Sequence, residues 1–219
     1  MSVPVTGLQF ELERLYGVSA GYDVADFLIS DPVLAEELDT GQGARVSDEK
    51  LLVRESEEGL EMSLYLADSV LNCLDGRNPL HTLDLVNLQA FLLALEGVSH
   101  FLYVAWNAGQ GKPITLFELE LQAEVDKYAA CTLLMKRQGG GVSTEQLART
   151  LFQNVSYDPD LSDEALDRYR YANQYASQYC RHLAQRYAGD ATHDMQSELR
   201  RFYRLPQADK VSRIHSGPT

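Results

Sequence analysis

Basic residues are in short supply in this chain: 19 lysines and arginines face 32 aspartates and glutamates, a formal charge of −13 at pH 7. A surface of that sign repels phosphate backbones and anionic headgroups, so nucleic acid and membrane surfaces are poor partners. Cysteine is scarce too. Cys73, Cys131 and Cys180 are odd in number, far apart and set in apolar, helical-looking stretches, which excludes a disulfide framework and reads as reduced interior thiols. The opening MSVPVTGLQFELERL lacks the basic start, apolar run and small-residue cleavage site of an export signal, so a cytoplasmic protein is expected. In that setting the glycosylation-like triplet Asn154-Val155-Ser156 has no consequence.

The strong catalytic signatures are missing as well. Neither His-Glu-x-x-His nor Cys-x-x-Cys occurs, no nucleophile elbow is present, and no internal repeat or heptad array appears. Gly109-Gln110-Gly111-Lys112 has some features of a phosphate loop, but it lacks the first glycine, runs into Pro113 and follows a helix-like segment, so it reads as a helix stop.

What remains is a chain of 219 residues with 45% hydrophobic and 23% charged content, enough to bury a core and unlike a disordered segment. The expected fold is mainly α (α+β): a helical bundle-like domain over residues 1–190 with one small antiparallel hairpin around 50–66, and a helical extension over 191–219 packed on the same domain. The hairpin rests on alternation. Leu51 and Val53, then Leu60, Met62, Leu64 and Leu66, alternate with polar neighbours across Ser56-Glu57-Glu58-Gly59. Asp23 is placed to cap a short helix carrying Val24, Phe27 and Leu28, and Ser30-Asp31-Pro32 to start another. Gly41-Gln42-Gly43 breaks the pattern, and Ser143 with Gln146 forms a capping-box pattern ahead of Leu147, Leu151 and Phe152. A tyrosine-rich helix follows from about Asp163 to Ala188.

The long apolar stretch from about Leu83 to Asn107 is long enough to span a bilayer, but Asn87, Gln89, Glu96 and His100 fit an interior helix of a folded protein better. At about 100° per residue, Gln89, Glu96, His100 and Asn107 fall within a sector roughly 40° wide. So narrow a stripe is either a thin strip of surface or a polar seam between helices. A structural hydrogen bond from His100 to Glu96, one turn away, is the plainer reading of that pair. The segment 116–135 supplies neighbours, with Glu120 and Glu124 four apart and Lys127 placed to neutralise Glu124. Packed as an antiparallel pair, segments 85–107 and 116–136 would bring Glu96, His100, Glu120 and Glu124 together, residue types suited to divalent iron, manganese or zinc. The spacing departs from the Glu-x-x-His pairs of di-metal bundles: here the Glu-to-His step is four and occurs once on a helix.

Charge is distributed unevenly. Residues 164–215 carry nine basic and six acidic side chains, a net of +3, against −16 for residues 1–163. Tyr175 and Tyr179 lie among arginines, and Arg200, Arg201 and Arg204 surround Phe202 and Tyr203, a mixture suited to an interface. Two readings follow: an interaction or regulatory protein whose Tyr/Arg-rich C-terminal region meets a protein partner or a second copy, or a metal-dependent enzyme with a carboxylate/histidine site between two core helices.

Overall fold

The computed structural model describes residues 3–39, 47–57, 59–139, 144–159, 161–187 and 192–217. The expected break at Gly41-Gln42-Gly43 and the cap at Ser143 lie outside these residues. Among them are nine α-helices and three strands: α1 (Val3–Tyr16), β1 (Leu28–Ile29), α2 (Pro32–Leu38), β2 (Glu49–Ser56), β3 (Gly59–Leu66), α3 (Asp68–Gly76), α4 (Leu88–Ala108), α5 (Leu116–Arg137), α6 (Thr144–Phe152), α7 (Asp163–Arg186), α8 (Thr192–Arg204) and α9 (Gln207–Ser216).

Helices α4 and α5 form the centre and run antiparallel: Glu96 meets Lys127, Ser99 meets Asp126, and His100 faces Glu120. Each begins and ends where local chemistry dictates. Helix α5 opens on a capping box, Thr115 accepting from the Glu118 amide while the Glu118 carboxylate accepts from the Thr115 amide. Helix α4 starts at Leu88, later than the apolar pattern suggests, because the Asn87 side chain is spent on the preceding turn, donating to the Arg77 and Thr82 carbonyls and accepting from the Asp84 amide. Gly109 and the left-handed Gly111 (φ 63°) end it. By length and composition alone α4 could cross a membrane, yet 72% of its apolar window is buried inside this fold.

The hairpin forms in the register its alternation predicts, Ser56 opposite Gly59 and Leu51 opposite Leu64. Its base is covered on both faces, Leu64 and Leu66 packing into the main core while Leu52 and Tyr65 pack with Ala35 of α2. Toward the tip, Val53 and Leu60 face solvent. One expectation is corrected here. Asp23 does cap, accepting from the Ala25 amide, but only a single 3-10 turn over Val24–Phe27 follows before Leu28 and Ile29 enter the sheet as β1, parallel to β3.

Helices α8 and α9 belong to the same core: Leu199, Phe202, Tyr203 and Ile214 are all buried in it. Helix α1 contributes Val5, Leu8, Leu12 and Leu15, a helical stripe packed against α4.

Candidate metal centre

Most of the polar stripe of α4 is a seam facing protein: Glu96 is half-buried and His100 and Asn107 are buried, while Gln89, in the first turn, is exposed. His100 lies between two carboxylates from different elements. Its Nε2 is 3.6 Å from Glu120 Oε2 on α5, and its Nδ1 is 3.9 Å from Glu49 Oε1 on β2. Both separations exceed a hydrogen bond, and His100 Nε2 and Glu49 Oε1 are buried with no hydrogen-bond partner. Burial alone would lower the His100 pKa, but the charges of Glu120 and Glu49 outweigh it and hold the imidazole well above its ordinary value.

The third side of the cluster is Glu96. Its carboxylate accepts from Lys127 Nζ at 3.0 Å, and Lys127 also donates to Glu124 at 2.7 Å. Burial would raise Glu96, but Lys127 and His100 bring it below the usual carboxylate range. Glu124 is raised, since burial and the neighbouring Glu96 outweigh the same lysine. Glu49 is raised too, by burial first and then by Glu96 and Glu120 against the relief His100 supplies.

The expected residues are thus divided. Glu96, His100 and Glu120 converge, each offering one ligand atom within 4.8 Å of the others. Glu124 turns to Lys127, as its three-residue spacing suggested. The expected His100 to Glu96 bond gives way because Lys127 engages Glu96. Sequence reasoning missed Glu49 altogether, although a signal existed: the two-residue period of Leu51 and Val53, carried back one step, puts Glu49 on the core face. Gly97 is what admits it. A methyl there would lie 2.6 Å from Leu64 Cδ1 on β3 and 2.9 Å from Glu49 Oε1 on β2, so the ends of these two side chains occupy the space that glycine leaves and would have to shift.

Ligands at about 2.0–2.2 Å from one ion in a tetrahedral array lie about 3.3–3.6 Å apart, so the 3.6 Å between His100 and Glu120 already fits and the carboxylate of Glu96 must close in by at most about 1.5 Å to share a cation. The oxygen-rich set with one imidazole suits manganese, iron or zinc. Glu49, on the far nitrogen of His100, stands where a carboxylate fixes the tautomer of a ligating histidine.

The C-terminal residues expected at an interface are mostly internal. Tyr179 stacks on Phe202 at 4.0 Å and Tyr203 on Tyr16 at 4.1 Å, and all four rings are buried. Tyr175 is half-buried, edge-on to Phe117. Arg200 donates to the Leu15 and Arg14 carbonyls, and Arg204 to those of Tyr16 and Gly17, so both guanidinium groups complete the C-terminal end of α1. Arg201 is exposed. Flanking arginines whose heads reach the surface while aromatic rings fill the core explain why the sequence resembled an interface.

No protein-family model, curated protein or solved structure matches this chain.

Proposed function

We propose that this protein is a metal-dependent enzyme that binds one divalent transition-metal ion through Glu96, His100 Nε2 and Glu120. Glu49 orients His100, and Lys127 positions Glu96. The observation that carries this reading is the buried, unpartnered pair His100 Nε2 and Glu49 Oε1 inside a cluster of four glutamates balanced by one lysine. Buried polar atoms are normally hydrogen-bonded, and uncompensated buried carboxylates are costly. Ligation through Nε2 requires neutral His100, so a metal ion displaces the proton that Glu120 and Glu49 otherwise favour there; the four carboxylates, when ionised, then outnumber the single lysine, and a dication offsets most of that excess negative charge. Three protein ligands leave coordination positions for water or substrate, the arrangement of catalytic rather than structural ions. Such an ion would supply Lewis acidity.

The test is a thermal-shift series on chelator-stripped full-length protein with Mn²⁺, Fe²⁺ and Zn²⁺. At least one should raise Tm by about 5 °C or more, as a ligand binding only the folded state must, and His100→Gln and Glu120→Gln should each abolish the shift. Absence of any shift with all three metals would overturn the reading. The other reading, an interaction protein using its Tyr/Arg-rich end, has less support. Its arginines are largely exposed, Arg170, Arg181, Arg186, Arg200, Arg201 and Arg204 among them, but of its aromatic rings Tyr171 reaches solvent while Tyr179, Phe202 and Tyr203 are buried.

A further inference from the structure

A second feature is independent of the metal centre. Between α1, α4, α5 and α8 lies a partly enclosed cavity of about 270 Å³ with apolar walls that include Leu12, Phe91 and Leu133. Its rim has a different character, carrying Arg14, Arg137 and Arg200 against one acid, Glu11. In a chain of net charge −13, an apolar cavity bordered by three guanidinium groups and a single carboxylate reverses the prevailing sign.

Glu11 already pairs with two of them, Arg14 at 2.6 Å and Arg137 at 3.0 Å. Burial would raise its pKa, but the two arginines outweigh that and lower it. The arginine side chains are about half exposed, 56% for Arg14 and 45% for Arg137, so these ion pairs are of the weak, readily exchanged kind. One carboxylate cannot neutralise three guanidinium groups. Each guanidinium carries five donors: Arg200 commits Nε and one terminal nitrogen to the Leu15 and Arg14 carbonyls, while Arg14 and Arg137 each commit one terminal nitrogen to Glu11 and keep donors for a second carboxylate.

We infer that this cavity binds a medium-chain carboxylate, its hydrocarbon tail among the leucines and its head on the arginine rim. The size follows from the volume: at ~30 Å³ for each water-sized group, the cavity holds roughly nine heavy atoms. Bidentate guanidinium contacts recognise the planar carboxylate, and the apolar walls select for the tail.

The test is isothermal titration of full-length protein with decanoate below its micellar concentration, with decanol as the same tail without charge and acetate as the head without tail. Decanoate should bind one per chain, decanol at least tenfold more weakly, and acetate not measurably. Arg137→Gln, at an exposed position that should leave the fold intact, should weaken decanoate at least tenfold with unliganded Tm little changed. Leu133→Trp, which fills the cavity, should remove binding while circular dichroism stays unaltered. No decanoate binding to the wild type, decanol binding as tightly as decanoate, or undiminished binding by a folded Leu133→Trp variant would each overturn the assignment. None of these results bears on the metal centre, which shares no residue with the cavity.

Discussion

Helices α4 and α5 build two buried polar centres from neighbouring positions, Ser99 and Asp126 in one and His100 and Lys127 in the other, and the two are completed differently. In the first, both oxygens of Asp126 are satisfied: Ser99 donates at 2.6 Å to one, and Gln122 at 2.7 Å together with the Tyr16 hydroxyl to the other. Lys210, fully buried on α9, donates to Gln122 Oε1 and rests on the faces of Phe202 at 4.6 Å and Tyr103 at 4.9 Å. In the second, His100 Nε2, Glu49 Oε1 and Glu124 Oε2 have no hydrogen-bond partner. The same pair of helices satisfies the Asp126 carboxylate internally; Thr132 Oγ1, Arg168 Nε, His182 Nδ1 and Tyr203 Oη are also buried without a hydrogen-bond partner, but the His100 centre gathers three such atoms, two of them carboxylate oxygens. It marks the place where acceptors outnumber donors, the condition a cation meets.

The comparison can be broken at either end. The largest effect is expected from Asp126→Leu, which leaves Tyr16, Ser99 and Gln122 without their acceptor and Lys210 without its nearest counter-charge. A loss of about 3–5 kcal/mol in denaturant unfolding is expected, and a loss under 1 kcal/mol would show that the first centre is not a network.

Next comes pH. Burial lowers Lys210 to about 7, against the opposing pull of Asp126 and Glu118, so between about 7 and 10.5 the unfolded chain binds the proton that the folded chain has released. Stability contributed at this position therefore rises with pH through that window and is lowest below it. Relative to Lys210→Met, the wild type should gain up to about 5 kcal/mol from the bottom of the window to the top. A flat difference would contradict the buried placement of the amine. Asp126 acts in the opposite sense at lower pH. Burial raises it to about 6, above what its three donors can offset, so its contribution falls as pH rises from 3.8 to about 6.

Smaller effects distinguish the second centre. Gly97→Ala displaces the ends of the Leu64 and Glu49 side chains and should cost about 1–3 kcal/mol while weakening any metal-induced rise in Tm. Preserved metal response in that variant would remove Glu49 from the account. Glu49→Gln should change metal-free stability least, by about 1 kcal/mol in the stabilising direction, because it relieves a carboxylate crowded by Glu96 and Glu120. It should also lower metal affinity about 10- to 100-fold, the cost of disturbing the partner that orients a ligating histidine.

The sequence made the long elements legible because their signals are local. Apolar periodicity with glycine and proline stops delimits α4 and α5, and alternation sets the hairpin register. It also exposed three of the converging residues, since Glu96 and His100 share a helix face and Glu120 follows on the next helix. Glu49 was hidden because it arrives from a strand 47 residues before Glu96, and nothing local to β2 shows that its carboxylate fills the space beside Gly97. Lys210 was hidden for a related reason: burying a lysine requires Gln122, Asp126 and three aromatic rings from distant elements. Strand β1 is too short to show a period. Helix α1, whose opening was read for an export signal, carried its core stripe unread.

The central claim is that the unmatched centre holds a cation while the satisfied one does not. Its most direct test is elemental analysis of full-length protein, purified without chelator and reloaded after stripping, beside His100→Gln and Ser99→Ala. The account predicts about one equivalent of manganese, iron or zinc per chain in the wild type and in Ser99→Ala, and none in His100→Gln. A wild-type protein that retains no metal after reloading, or a His100→Gln protein that retains a full equivalent, would contradict it.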